Sequence, residues 1–460
     1  MSESRLAIPL IRVAVVEPGA KAKAAEGWRT AEIGKAIVFK TEDLNDYRTK
    51  NWDSRVYDAM LLIAAVEYCD KALKRPGFGW ARRIELQLPV HDTSRWQNPR
   101  VMECVATALK FLTGDEWKLT FTAAKASVDS NLGQQSLFEW GDPGRTITPF
   151  SDGLDSRAVS AILGAQGRFD RLIRVRVGSK ADDRPVHDRK KVPFLNIPFS
   201  VNMKPIGIKE SSVRSRGFKF TLLSALAAYL VGTHDVAMPE SGQGALGPTL
   251  IPTSHGYEDY RNHPRFLRKM EDVVEALFDC PIHFRLPQLW KTKGQTLAEF
   301  AAIAFEPDEW NKTRSCWQQS RNSSFDKTRR HCGICAACML RRLSFHSAGI
   351  NEPKENYIWE NLRSDRFEDG VVPGFTKVTR AMQRYGIAGA LHLDHLAEMR
   401  SSPLHRSRLK RHAWQLAEQL RMTTTEAEEK LSGLLEQHDK EWKAFMKDLG
   451  PKSFVSQWLA

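Results

Sequence analysis

Apolar and polar positions alternate cleanly over Arg83 to Val90 (RIELQLPV), which predicts a strand with one wet face. Trp117 to Ala123 reads the same way, and Arg5 to Val16 and Gly34 to Lys40 also look like strands. Between them the spacing changes. Met60, Leu61, Ile63, Ala64, Val66 and Ala72 recur at helical intervals within Tyr57 to Leu73, and Val101 to Leu112 is a second amphipathic helix. These elements predict an N-terminal α+β domain over residues 1–128. Residues 129–145 are rich in Ser, Gly, Gln, Asp and Pro and read as a linker.

The pattern then becomes strand, helix, strand. Thr146 to Phe150 is β-branched and aromatic, and a polar turn follows it. A helix runs through Ala158, Val159, Ala161, Ile162 and Leu163 and stops near Gly164 to Gly167. Leu172 to Val177 is a second strand, residues 178–185 a charged loop, and Phe194 to Pro198 a third strand. Thr221 to Gly232 is apolar on most sides, as a core helix is. Val236 to Glu240 reads as a strand end, and Ser241 to Pro248 as a glycine-rich loop. This order argues for a parallel α/β sheet with its ligand beyond the carboxyl ends of the strands. From Lys377 the chain is polar and helical. Ala413 to Leu435 is one helical pattern, with a basic run from Arg406 to His412 ahead of it. Phe454 to Leu459 is apolar enough to pack back or to be bound.

Composition narrows the reading. The 460 residues have room for two or three domains, and Lys+Arg 68 against Asp+Glu 55 leaves a charge of +13. Such a surface suits nucleotides, acidic partners or nucleic acid and names none of them. No apolar run is long enough to span a bilayer, and Glu17 and Pro18 interrupt the first apolar run, so a cytoplasmic protein without membrane partners is expected. Four of the seven cysteines crowd between Cys316 and Cys338, which argues for metal rather than disulfides. Cys316 with Cys332, Cys335 and Cys338 supplies four sulfurs for a tetrahedral zinc, a closed and therefore structural site. An iron–sulfur cluster remains the alternative, because thiolates alone do not select the metal. Cys69, Cys104 and Cys280 read as core residues and His331 as a bystander. The first third holds no ligand cluster. Trp80 beside Arg82 and Arg83 reads as a packed ring next to solvated arginines.

The turn at Ser151 carries the chemistry. A strand feeding a polar turn into a helix exposes backbone N–H groups and the positive end of the helix dipole, where an anion is stabilised. Ser151, Gly153, Asp155 and Ser156 resemble the Ser-Gly-Gly-x-Asp-Ser signature of the PP-loop ATP pyrophosphatases, with Asp152 where that family has glycine. Further along stand Arg216 before a small-residue helix, the run Gly256-Tyr257-Glu258-Asp259-Tyr260-Arg261, Thr292-Lys293 before a helix, and the four cysteines. In this order they resemble the 7-cyano-7-deazaguanine synthase (QueC) family over roughly residues 146–360. The domain in front and the helical region 361–460 behind look like the QueC-like proteins of bacterial antiphage operons, of the Qat and CBASS kinds.

The resemblance implies a PP-loop (adenine nucleotide α hydrolase-like) α/β fold with a zinc knuckle. It implies a ligase that forms AMP and pyrophosphate, adenylylates a 7-deazaguanine carboxylate and passes the acyl group to an amine, on a partner protein from the same operon. ATP would lie on Ser151, Gly153, Leu154, Asp155, Ser156 and Arg216, with Mg2+ positioned by Asp155 and Zn2+ on the cysteines. Lys293 and Arg216 would offset charge as pyrophosphate leaves. Glu240, Tyr257, Asp259 and Arg261 would hold the deazaguanine. Two alternatives stay open: plain 7-cyano-7-deazaguanine synthesis, and a non-catalytic nucleotide-binding defence component, for which Asp152 speaks. No RNA-binding module is recognisable, so a nucleic-acid partner is not expected.

Overall fold

The computed structural model describes residues 8–20, 26–39, 54–77, 79–126, 144–151, 153–167, 171–177, 194–197, 199–204, 206–253, 256–303, 309–318 and 320–460. Asp152, the charged loop 178–185 and residues 129–143 of the expected linker lie outside them.

The first stretch contains β1 (Leu10–Val16), β2 (Trp28–Glu32), β3 (Ile37–Phe39), α1 (Ser54–Ala72), β4 (Arg83–Val90), α2 (Thr93–Trp96), α3 (Pro99–Thr113) and β5 (Glu116–Ala123). Next come β6 (Thr146–Pro149), α4 (Leu154–Gln166), β7 (Leu172–Val177), β8 (Phe194–Ile197), β9 (Phe199–Val201), α5 (Arg216–Val231) and β10 (Asp235–Ala237). They are followed by α6 (Gly242–Ala245), α7 (Gly247–Leu250), α8 (Pro264–Phe278), β11 (His283–Arg285) and α9 (Lys293–Ile303). The last stretch holds α10 (Ser320–Ser323), β12 (Ser324–Phe325), β13 (Thr328–Arg329), α11 (Ala336–Ser347), α12 (Arg380–Glu398), α13 (Arg406–Leu420), α14 (Thr424–Leu449) and α15 (Phe454–Leu459).

Two compact units interleave along the chain. The first comprises residues 1–150, 167–238 and 252–285, the second 151–166, 239–251 and 286–460.

The first unit contains two parallel sheets, in strand orders β2-β1-β4-β5 and β11-β10-β6-β7-β8. Where an α+β arrangement is expected at the N-terminus, the sheet is parallel throughout. The reason lies in α1: it is buried on almost every side and lies in the chain between β2 and β4, two strands of this parallel sheet, while β3 pairs antiparallel with β9. Arg82 also departs from expectation. It is wholly buried, because Asp70 and Asp115 surround its guanidinium at 2.6 and 2.8 Å, while Arg75 forks onto Asp115 at 2.8 and 2.9 Å. In the second sheet β6 is central, with β10 on one side and β7 on the other. The chain leaves its carboxyl end into the Ser151 turn, the position at which open α/β sheets bind ligands.

The second unit is helical. α11 packs with α9, α12 and α14 over a core that includes Trp359, Phe367 and Trp442. α15 packs back into that core, with the Phe454 and Trp458 rings each 5.6 Å from Phe367. The glycine-rich stretch expected as a loop forms the short helices α6 and α7. The helical pattern over 413–435 is broken, and the basic run 406–412 lies within α13 rather than ahead of a helix. The break is Arg421, at φ 54 and ψ 46, after which Thr423 accepts the Glu426 N–H and caps α14. A left-handed arginine is strained where glycine is not, so Arg421→Gly is expected to raise stability by about 0.5–1 kcal/mol. Thermal unfolding checks this; a lower Tm would contradict the left-handed cap. Among the described residues no helix is long and apolar enough to cross a membrane.

Candidate functional site

The Ser151 turn closes on itself through hydroxyls. Ser151 Oγ and Ser156 Oγ lie 2.9 Å apart, and the Gly153 N–H donates to Ser151 Oγ at 3.1 Å. A β-carbon on Gly153 would sit 3.1 Å from that same oxygen, tighter than most real contacts. α4 begins at Leu154, earlier than its apolar spacing indicates, because Leu154 anchors the first turn in a cluster with Leu297, Phe300 and Phe345. The turn, its serines and the first amides of α4 are thereby held together, and these are the groups an anion needs.

Asp155 lies in that first turn and forms an ion pair with Lys293 Nζ, both side chains being largely buried. Burial alone would lower the Lys293 ammonium, but Asp155 and Glu240 outweigh it and hold it above the ordinary lysine value. Lys293 is therefore a fixed cation. The second oxygen of Asp155, Oδ1, is buried without a hydrogen-bond partner among the described residues. Glu240 folds against Gly244, where a β-carbon would lie only 2.0 Å from its Oε1. Lys293 opens α9, whose start is a capping box: the Gln295 N–H donates to Thr292 Oγ1 at 3.1 Å and the Thr292 N–H to Gln295 Oε1 at 3.0 Å.

Ser151, Gly153, Leu154, Asp155, Ser156, Lys293 and Glu240 belong to the second unit. Arg216, Tyr257, Asp259 and Arg261 belong to the first. Arg216 opens α5, with its guanidinium 5.2 Å over Phe220. Gly217 brings it near Arg261, whose Cβ lies 2.9 Å from where a β-carbon on Gly217 would stand. Tyr257 donates its hydroxyl to the Phe111 carbonyl at 2.7 Å, and burial pushes the phenol up. Asp259 accepts from Arg261 Nε at 2.8 Å and lies 3.7 Å from Arg214. Burial would raise its carboxyl, but the two arginines hold it below the ordinary range.

The cysteines gather as their spacing indicates. The sulfurs of Cys316, Cys332, Cys335 and Cys338 lie within 4.8 Å of one another, and those of Cys332 and Cys338 are 3.8 Å apart. Sulfurs at about 2.3 Å from a tetrahedral zinc stand about 3.8 Å from each other, so the set fits the ion. The N–H groups of Cys332 and Gln318 point at Cys316 Sγ, at 3.2 and 3.4 Å, and that of Cys335 at Cys332 Sγ at 3.3 Å. Such donors favour thiolates over thiols. Gly333, at φ 90 and with its missing β-carbon 2.9 Å from the Trp359 carbonyl, is the one residue type the knuckle admits there.

Three residues beside the Lys293 site escape sequence reasoning: Gln243, His438 and Glu441. Gln243 was hidden in a stretch read as loop. The other two sit on a helix some 150 positions beyond Lys293, with no motif to mark them.

Residues 245–349 match the family described as "Queuosine biosynthesis protein QueC". The chain is similar to the 7-cyano-7-deazaguanine synthase of Paracoccus denitrificans, 26% identical over 226 residues that cover 45% of this chain and 91% of that protein. The synthase of the same name from Hydrogenovibrio crunogenus is 24% identical over 237 residues, 46% of this chain and 95% of that one. That of Buchnera aphidicola is 34% identical over 151 residues, 31% of this chain and 52% of that one.

Proposed function

We propose that the chain, which matches the QueC family over residues 245–349, uses ATP to activate the carboxylate of a 7-deazaguanine and convert it to the 7-cyano product. A carboxylate oxygen attacks the α-phosphorus of ATP, pyrophosphate leaves, and an acyl adenylate forms. Ammonia displaces AMP to give the amide. The amide oxygen attacks the α-phosphorus of a second ATP, pyrophosphate leaves, and loss of AMP and the two N–H protons gives the nitrile. The observation that carries this reading is the Lys293–Asp155 pair, which ties the start of α9 to the first turn of α4, the turn that also carries Ser156.

In this reading the turn amides and the two hydroxyls hold phosphate oxygens. Lys293 neutralises charge that grows as pyrophosphate departs, a contribution larger in the transition state than in the ground state. Magnesium would be held by Asp155 through its unpartnered Oδ1, directly or through water, and would supply further phosphate neutralisation. Glu240, in the same unit as Lys293, takes part in holding the deazaguanine. Zinc on the four cysteines is structural, because four sulfurs close its coordination shell.

A second reading shares the adenylylation and differs in the acceptor, which is an amine on a partner protein of an antiphage system. It is supported by the residues beyond 349, outside the family match, which add α12 to α15 to the helical unit.

Product analysis with ATP, magnesium and 7-carboxy-7-deazaguanine, with and without ammonium, separates the readings. AMP and pyrophosphate that require the acid, with nitrile once ammonium is added, support synthesis. AMP with the acid but no nitrile points to a protein amine. No AMP under any condition favours a nucleotide-binding protein without turnover. Joint replacement Ser151→Ala and Ser156→Ala is expected to abolish AMP formation, and unchanged turnover would overturn the assignment of the turn.

A further inference from the structure

We infer that His438 and Glu441, on α14, are positioning residues for Lys293; the inference rests on the proposed role of Lys293 at the ATP phosphates. The Lys293 N–H donates to Gln243 Oε1 at 2.7 Å. That fixes the orientation of the Gln243 amide, whose Nε2 must then donate to His438 Nδ1, 2.7 Å away. His438 Nδ1 is therefore bare, the ring proton sits on Nε2, and it is donated to the Leu393 carbonyl at 2.8 Å. The chain of donors runs in one direction only. If His438 carried a proton on Nδ1, Gln243 would have to turn its oxygen toward the ring and face the Lys293 N–H with another donor.

A second arm from the same helix reaches Thr292, the residue before Lys293. Thr292 Oγ1 donates its proton to Glu441 Oε1 at 2.6 Å, which leaves its lone pairs to accept the Gln295 N–H. The capping box that starts α9 is thus oriented from α14. Side chains of α14 approach the backbone closely at two glycines. A β-carbon on Gly242 would lie 2.7 Å from Leu434, and one on Gly294 would lie 3.2 Å from Glu441 Oε1. Gln243, Thr292, His438 and Glu441 are all buried, so water does not substitute for these bonds. Both arms come from a helix outside residues 245–349, so the helical region is a built-in support of the ATP site as well as an appendage to it.

Histidine 15N NMR of the full chain at neutral pH, with the signal assigned through His438→Gln, is expected to show His438 neutral with its proton on Nε2. The His438→Leu variant should exchange the Lys293 amide proton faster. It should also lower kcat for AMP formation about tenfold with KM for ATP within about twofold, as a misplaced catalytic group does. His438→Gln, which can accept from Gln243 and donate to Leu393, should recover activity to within about threefold of the parent chain. A proton on Nδ1, an imidazolium, or a Lys293 amide unaffected by His438→Leu overturns the inference. Should the parent chain form no AMP, the ATP reading fails by itself, and the tautomer and the Lys293 exchange still decide the relay.

Discussion

Lys293→Met is expected to slow AMP formation by about 100- to 1,000-fold, the usual cost of removing one preorganised charge from a developing anion. The lysine is held as a cation by Asp155 and Glu240, so its charge is in place before the pyrophosphate begins to leave. Because that stabilisation grows toward the transition state, the loss should fall on kcat more than on KM for ATP. The variant also strands Asp155, a largely buried carboxylate, and removing one partner of such a pair destabilises a fold by about 3–5 kcal/mol. The double variant Lys293→Met with Asp155→Asn removes both charges. It should regain most of the thermal stability and none of the turnover. If the single variant keeps more than a tenth of the parent rate, Lys293 does not face the phosphates.

Cys335→Ser should cost the protein its metal and lower Tm by about 10 °C. Cys335 is buried among three other sulfurs and stands at the N-cap position of α11, the helix that packs against α9, α12 and α14. Zinc binding free energy is folding free energy for such a knuckle, so the loss propagates into the helical unit rather than staying at the turn. Metal analysis of the purified chain should find one zinc per chain in the parent and none in the variant. A variant that keeps its Tm would show that the four sulfurs pack as ordinary buried thiols, and iron in the parent would favour the cluster alternative.

Much of this was legible in order along the chain. Period-two and period-3.6 patterns depend on neighbours a few residues apart, so Arg83 to Val90 and Leu172 to Val177 appear at the boundaries their spacing indicates. The knuckle from Cys332 to Cys338 was equally local, since two CxxC spacings bring three ligands together without any help from the fold. The meeting of the Ser151 and Ser156 hydroxyls was local too, within one turn and the start of α4.

Where the reading fell short, distance along the chain was the reason. Arg82 looks solvated until Asp70 and Asp115 are brought to it by two different elements, and burial of an arginine is decided wholly by such partners. The break at Arg421 runs against apolar spacing that continues through it, because a helix end is set by caps and by what each half packs on. Asp155 and Lys293 were each named from their own motif, yet their ion pair spans 138 positions. The sequence alone determined the Cys332–Cys338 knuckle and most of the regular elements, because both follow from short-range spacing. Only the tertiary structure decided that Lys293 closes on Asp155 and that a helix near the C-terminus, through His438 and Glu441, holds the strand of backbone that bears it. Hydrogen bonds reach about 3 Å, and only folding brings residues so far apart in the chain within that range.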